Sequence, residues 1–411
     1  MYTRNITQNI ISGLKEVPIL FLNGARQAGK STLAKQIIGK KILSDYVTLD
    51  DATSLVAASN SPQFFLEGLV DKIVIDEVQR APELFLALKL LVDEASNAKK
   101  YLLTGSANIL LLPKIADSLA GRLEIHTLWP LSQGEIIGKK ETFIDRCFLQ
   151  NTATFTNSPP ITWQQLSNKI VVGGYPEVLK RKTEERRFAW FNSYLLSLLQ
   201  RDIQDLAHIE KLKELPNLVA LLAARAGGLL NFADISRTSG IATTSLRRYL
   251  SLLEKIFLFV TVPAWFRNLE KRLVKSPKMY LNDTGMLCHM LGTNSSRLLK
   301  KYGLVGHIVE NFVAMELIKQ QGWNKTNCRL YHFRCQTGKE VDFLLESYDG
   351  RIVGIEVKSN SEVANKDFVG LKYLSELVGK DFIRGIVLYL GRREIKFGKN
   401  MFATPISNLW S

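Results

Sequence analysis

Residues 24–32 read Gly-Ala-Arg-Gln-Ala-Gly-Lys-Ser-Thr. Gly24, Gly29, Lys30 and Ser31 thus fall at the spacing of a glycine, four intervening residues and Gly-Lys-Ser/Thr. A glycine turn of this kind curls backbone N–H groups around phosphate oxygens, and a helix opening behind it adds a favourable dipole. The phosphate-binding set is Gly24, Ala25, Arg26, Gln27, Ala28, Gly29, Lys30, Ser31 and Thr32. In it Lys30 is expected to reach the β- and γ-phosphates of ATP and the Ser31 hydroxyl to ligate Mg²⁺. Two adjacent carboxylates, Asp76 and Glu77, close the apolar run Ile73-Val74-Ile75. Asp76 matches the strand-end acid that holds the metal, and Glu77 is placed to orient or deprotonate the attacking water. The second acid favours ATP hydrolysis over kinase or GTPase chemistry, and Asn324-Lys325-Thr326-Asn327 does not complete a guanine-reading element. Thr104 and Ser106 are candidate γ-phosphate sensors, and Arg122 is a candidate arginine finger. Arg122 acting in trans would require a homo-oligomer; a surface ion pair is the competing use of any one arginine.

The elements that must position these groups are legible around them. Ile19–Leu22 reads as a buried strand and Leu33–Ile38 as the helix after the turn. Tyr46–Leu49, Ile73–Glu77, Tyr101–Thr104 and Leu123–Leu128 read as further strands. Leu84, Leu88, Leu91, Val92 and Ala95 recur at helical spacing. Strands alternating with helices predict a parallel sheet with crossover helices over residues 1–140.

A second set of charged residues lies far downstream. Glu340–Leu345 and Ile355–Lys358 read as strands, with Asp342 polar among apolar neighbours in the first. Period-two alternation puts Glu356 and Lys358 on one face. If the two strands are neighbours, Asp342, Glu356 and Lys358 come together, with Glu310 arriving from the helix His307–Gln320. Between the two sets, Phe232–Ser239, Gly240-Ile241 and Thr243–Lys255 resemble a helix-turn-helix of winged-helix type. Its second helix carries an apolar stripe, Leu246, Tyr249, Leu250 and Leu253, and an opposite face with Thr244, Arg247 and Arg248. Such a face suits DNA phosphate and groove contact; a packing module is the alternative. Residues 150–162 read as a loop or linker.

The chain has 411 residues, 46% of them hydrophobic and 23% charged, which suits a folded protein of two or three domains. A net charge of +15 favours a polyanionic partner, nucleic acid and DNA foremost. No apolar run approaches membrane-spanning length and no secretory signal is visible, so no membrane association is expected. Cys147, Cys288, Cys328 and Cys335 fit no zinc spacing and read as unpaired thiols of a cytoplasmic protein.

GARQAGKST, KIVIDEVQRAPEL, YLLTGSAN, SLAGR and Trp129-Pro130-Leu131-Ser132 resemble prokaryotic ATPases of the AAA superfamily. Those proteins carry a C-terminal domain of unknown function. The likeness continues through Gly173-Gly174-Tyr175-Pro176, Arg201-Asp202-Ile203 and Pro405–Trp410. The order helix Glu310, strand Asp342, strand Glu356-x-Lys358 resembles the restriction-endonuclease-like, PD-(D/E)xK, superfamily, with Val341 in place of the proline. That likeness implies two carboxylates on Mg²⁺ and a lysine assisting the attacking water, and a helix over Asn365–Leu377 and a strand over Ile386–Tyr389 to complete the core. The expected architecture is a multidomain α/β protein. It comprises a P-loop AAA-type ATPase (1–140), a linker and helical region (141–215), a winged-helix-like segment (216–275) and a restriction-endonuclease-like domain (276–411). The expected function is ATP binding and hydrolysis that controls a nucleic-acid-binding, nuclease-like half. The alternative is an ATP-driven switch or assembly ATPase that binds DNA or a protein partner without cleaving.

Overall fold

A computed structural model describes residues 2–40, 42–94, 99–106, 119, 121–149, 155, 159–202, 214–268, 270, 272, 275–300 and 303–411. The chain divides into two compact units, Met1–Leu131 with Ser251–Leu258, and Ser132–Leu250 with Phe259–Ser411.

The first unit is built on a parallel sheet of β1 (Ile19–Asn23), β2 (Asp45–Thr48), β3 (Lys72–Asp76), β4 (Lys100–Gly105) and β5 (Leu123–Thr127). Its order is β2-β3-β4-β1-β5. β1 is buried along its whole length, which is why it reads as an unbroken apolar run rather than an alternating one. Helices α1 (Thr7–Glu16), α2 (Lys30–Gly39), α3 (Ala52–Asn60), α4 (Pro62–Glu67) and α5 (Leu84–Glu94) accompany it. Leu84, Leu88 and Leu91 of α5 are buried as their spacing requires, in one core with Phe21, Ile73, Ile75 and Leu103. Ala95 lies outside the described residues, as do Ala107, Asn108, Ser118 and Ala120 of the family-like motifs.

In the second unit, α6 (Trp163–Val172) and α7 (Glu184–Ser197) precede a helical segment of α8 (Leu215–Ala224), α9 (Phe232–Ser239) and α10 (Thr243–Lys255). The end of α10 belongs to the first unit. Gly240 closes α9 in the left-handed conformation that glycine adopts without steric cost. Antiparallel β6 (Phe259–Val262) and β7 (Lys278–Leu281) follow, and Leu229 forms an isolated antiparallel bridge to Lys278. Most of the 150–162 stretch lies outside the described residues.

The last part of the chain holds α11 (Thr284–Met290), α12 (Val305–Gln320) and a six-stranded mixed sheet. Its strands are β8 (Cys328–Arg334), β9 (Glu340–Ser347), β10 (Ile352–Val357), β11 (Phe382–Tyr389), β12 (Ile395–Lys396) and β13 (Met401–Pro405), in the order β12-β13-β11-β10-β9-β8. β8, β9 and β10 pair antiparallel, while β10, β11 and β13 run parallel. Helix α13 (Val369–Val378) crosses between β10 and β11, entered by a 3₁₀ turn at Asn365–Phe368 rather than by the single helix expected over Asn365–Leu377. α12 is buried on nearly every side, and Glu310, Asn311, Glu316, Lys319 and Gln320 each make a side-chain hydrogen bond. Asn311 accepts from the Leu281 N–H at 2.8 Å and donates to the Leu281 carbonyl at 2.9 Å, pinning α12 to β7.

Candidate functional site

The glycine turn sits between β1 and α2, as its flanking sequence requires. Gly24 has φ +145°, and a Cβ there would lie 2.1 Å from the Leu128 carbonyl oxygen, so no other residue fits. Gly29 opens α2 at φ 102°, and Gln27 also adopts a left-handed conformation at φ 58°. Lys30, 5% exposed, donates from Nζ to the carbonyls of Gly24 at 2.9 Å and Ala25 at 3.1 Å. The turn is thus clasped by the lysine meant for the phosphates.

β3 delivers Asp76 beside it. The carboxylate is 3% exposed and accepts from the hydroxyls of Thr104 on Oδ1 and Tyr46 on Oδ2. Burial, followed by the bond to Asp76 and its charge, pushes the Tyr46 phenol well above its ordinary value. The Ser31 side chain lies near the same hydroxyl. Ser31 and Asp76 therefore converge on one point, with hard oxygen donors of the kind Mg²⁺ takes. The residues present fit that ion.

The strand ends at Asp76, so Glu77 is not placed by strand alternation. It turns out of the sheet at φ 59°, ψ 42°, a left-handed conformation uncommon for a residue with a side chain. Its N–H donates to Thr104 Oγ1 at 3.3 Å, so one hydroxyl bonds the Asp76 carboxylate and the Glu77 backbone. Gln79 Nε2 donates to Glu77 Oε2 and, at 3.0 Å, to Ser106 Oγ, while Gln79 Oε1 is buried with no hydrogen-bond partner among the described residues. Thr104, on β4 next to β3, thus meets the acid pair directly, while Ser106, just past the end of β4, reaches it only through Gln79. Arg122 forms a two-point pair with Asp93, Nε to Oδ1 at 2.5 Å and Nη2 to Oδ2 at 2.9 Å. Tyr46 and Gln79 carry no motif signal of their own; a hydroxyl at the first strand after the glycine turn and an amide two residues past the acid pair were the available signs.

The downstream set also assembles. The β9–β10 register pairs Phe343 with Ile355, which brings Asp342 and Glu356 together. Asp342 N–H donates to Glu356 Oε2 at 3.3 Å, Val357 N–H to Asp342 Oδ2 at 2.9 Å, and Lys358 Nζ to Glu356 Oε1 at 3.2 Å. Glu310 arrives from α12. A residue the sequence did not flag joins them: Lys278 Nζ donates to Glu310 Oε1 at 2.8 Å and Asp342 Oδ1 at 3.4 Å. Tyr280, two residues along β7 and so on the same face, donates to Glu310 Oε1 at 2.7 Å. Burial and then the Asp342 charge push Glu310 up to about 7 and Glu356 up to about 8. Burial pulls the Lys278 amine down, but Glu310 and Asp342 outweigh it and the net shift is upward. Among the described residues no three His, Cys, Asp or Glu side chains are grouped so as to hold a metal ion.

On α10, Leu246, Tyr249, Leu250 and Leu253 are buried while Thr244, Arg247 and Arg248 are exposed, the two faces the spacing predicts. Arg247 lies over the Phe232 ring, 4.2 Å from its centroid. All four cysteines are unpaired, and no helix among the described residues is long and apolar enough to cross a membrane.

A parallel sheet, a glycine turn clasped by Lys30 and a strand-end acid pair define a P-loop nucleoside-triphosphatase domain. Residues 16–137 match an AAA domain, and residues 164–297 and 305–409 each match a domain of unknown function, DUF8612 and DUF4143 respectively. The chain carries an AAA-type ATPase domain followed by a C-terminal DUF4143 domain. It is 29% identical over 411 residues to an uncharacterized protein of Mycobacterium tuberculosis, covering 99% of this chain and 84% of that one. An uncharacterized protein of Methanocaldococcus jannaschii is 23% identical over 346 residues, covering 81% and 73%. A Walker-type ATPase of Pyrococcus abyssi aligns in structure at a TM-score of 0.46 and 16% identity, covering 71% of this chain and 96% of that one.

Proposed function

We propose that the N-terminal domain binds and hydrolyses ATP with Mg²⁺ and that its nucleotide cycle controls nucleic-acid binding by the rest of the chain. The observation that carries the ATPase reading is the convergence of Ser31, Asp76, Glu77 and Thr104 beside the Lys30-clasped turn. Lys30 exchanges its two carbonyl partners for phosphate oxygens. Ser31 and Asp76 hold the metal, which when bound neutralises phosphate charge. Glu77, held by Gln79, takes or orients the proton of the attacking water.

Nucleic-acid binding rests on three features. These are the net charge of +15, the exposed Thr244, Arg247 and Arg248 on α10, and the order of α8, α9, α10, β6 and β7, which suits a winged helix. The order α12, β8, β9, β10, α13, β11 and the meeting of Glu310, Asp342, Glu356 and Lys358 support a restriction-endonuclease-like core. Lys278, bonded among those carboxylates, favours the second reading, an ATP-driven switch that binds without cleaving.

The test measures labelled-DNA affinity by anisotropy without nucleotide, with ADP and with ATP. The wild type is compared with Lys30→Ala, which loses ATP, and Glu77→Gln, which holds ATP unhydrolysed. DNA affinity in Glu77→Gln with ATP should differ from that of the nucleotide-free chain and should weaken with salt. Equal affinities in all states would remove the coupling. Normal turnover in both variants would remove the ATPase.

A further inference from the structure

The carboxylates of the C-terminal set are already committed. Glu310 Oε1 accepts from Lys278 and Tyr280, and Asp342 Oδ1 from Lys278. Asp342 Oδ2 accepts from the Val357 N–H, Glu356 Oε1 from Lys358, and Glu356 Oε2 from the Asp342 N–H. Five of the six carboxylate oxygens therefore take a named donor, and the donor joining the helix acid to the strand acid is an ammonium. Lys278 Nζ stands at 2.8 and 3.4 Å from Glu310 and Asp342, which is hydrogen-bond geometry. A divalent ion shared by the same two acids would need oxygens at about 2.0–2.1 Å for Mg²⁺, in the space the amine fills. As it stands, the set does not fit such an ion.

The placement is a consequence of the local fold. Asn311 fastens α12 to β7 through the Leu281 backbone, so Glu310 faces the strand residues that alternate toward it, Tyr280 and Lys278. Lys278 is 7% exposed and its side chain cannot leave for solvent without breaking both ion pairs. Three buried carboxylates need counter-charge, and this chain supplies it from its own β7.

We infer that Lys278 is a built-in counter-cation occupying the place between Glu310 and Asp342 that a divalent metal would take, so that the C-terminal site excludes Mg²⁺ and Mn²⁺ until the amine is withdrawn. This deepens the restriction-endonuclease-like reading of that domain and rests on it. The site is thus closed to metal-dependent cleavage in the state described. Displacement of one lysine is the step that would open it.

The experiment uses the full chain without nucleotide and Mn²⁺ as the probe. Bound ion is counted by electron paramagnetic resonance and melting is followed with and without Mn²⁺. On an Asp76→Asn background, which removes the first unit's metal site, the otherwise unaltered chain and Lys278→Arg should bind no stoichiometric Mn²⁺ and melt unchanged. Lys278→Met should gain one equivalent and a Mn²⁺-dependent rise in Tm, and Lys278→Met with Asp342→Asn should lose both. If Lys278→Met does not fold alone, recovery of native circular dichroism in Mn²⁺ becomes the readout, and no recovery overturns the inference. One equivalent of Mn²⁺ on the wild type that survives Asp76→Asn but not Asp342→Asn also overturns it. Mn²⁺ uptake by Lys278→Met without DNA cleavage would sink the nuclease reading alone and leave the counter-cation standing.

Discussion

The Tyr46 hydroxyl occupies the point on which Ser31 and Asp76 converge, and Tyr46→Phe removes that hydroxyl alone. The ring keeps its place in β2 and under the Lys35 amine, 4.7 Å from its centroid. Before metal binds, Asp76 takes hydrogen bonds from Tyr46 and Thr104; a cation on the same carboxylate competes with the first of them. A hydrogen bond to a charged group is worth ~1.5–3 kcal/mol, and half-burial of Tyr46 favours the lower part of that range. About 1.5–2 kcal/mol corresponds to roughly 10- to 30-fold. The half-saturating free Mg²⁺ for binding of a fluorescent ATP analogue should therefore fall by about that factor in Tyr46→Phe. Nucleotide binding without Mg²⁺ should change little. An unchanged or higher Mg²⁺ requirement would refute the competition and make the hydroxyl a supporting group for the metal instead.

Gln79→Leu removes the amide that ties Glu77 to Ser106, so turnover should fall by roughly 10- to 100-fold at unchanged ATP affinity, as a lost charge-assisted bond of ~1.5–3 kcal/mol requires. A rise in KM with kcat unchanged would contradict that role. Glu141 is pushed up to about 7, by burial first and then by the Glu316 charge, while Gly134 N–H donates to its Oε1 at 2.7 Å. A carboxyl raised in the fold stabilises below its unfolded value and loses that contribution as pH rises through its folded one. Relative to Glu141→Gln, the wild type should thus lose on the order of 1–3 kcal/mol between pH 4.5 and about 7, read from urea melts across that window. Parallel curves would refute the shift.

The phosphate-binding half was largely legible because each signal there is local. A glycine turn needs its glycines at fixed backbone positions, and Gly24 sits against a carbonyl that admits no Cβ. β1 is buried on both faces and so carries an uninterrupted apolar run. Glu77 departed from the expectation because the strand stops one residue earlier than its composition suggests, and a left-handed turn re-aims the second acid toward Gln79. Period two cannot report such a turn.

What stayed hidden was contributed by residues distant in sequence. Glu310, Asp342, Glu356 and Lys358 could be grouped in advance because two strands and a helix of recognisable period carry them. Lys278 is 32 residues from Glu310 and 64 from Asp342, on a four-residue strand whose partner is β6. Nothing in Lys278-Met279-Tyr280-Leu281 distinguishes a buried counter-cation from a solvated lysine at a strand's start; only the clamp between Asn311 and Leu281 turns that face toward the acids. Tyr46 is the same case in the first unit, an ordinary strand tyrosine until the β2–β3 register sets Thr48 beside Asp76 and brings its hydroxyl onto the carboxylate. In both sites a neutral or cationic side chain of the protein sits where a metal ion is expected to go. Motif matching finds the acids and misses the occupant, and the occupant decides when metal can enter.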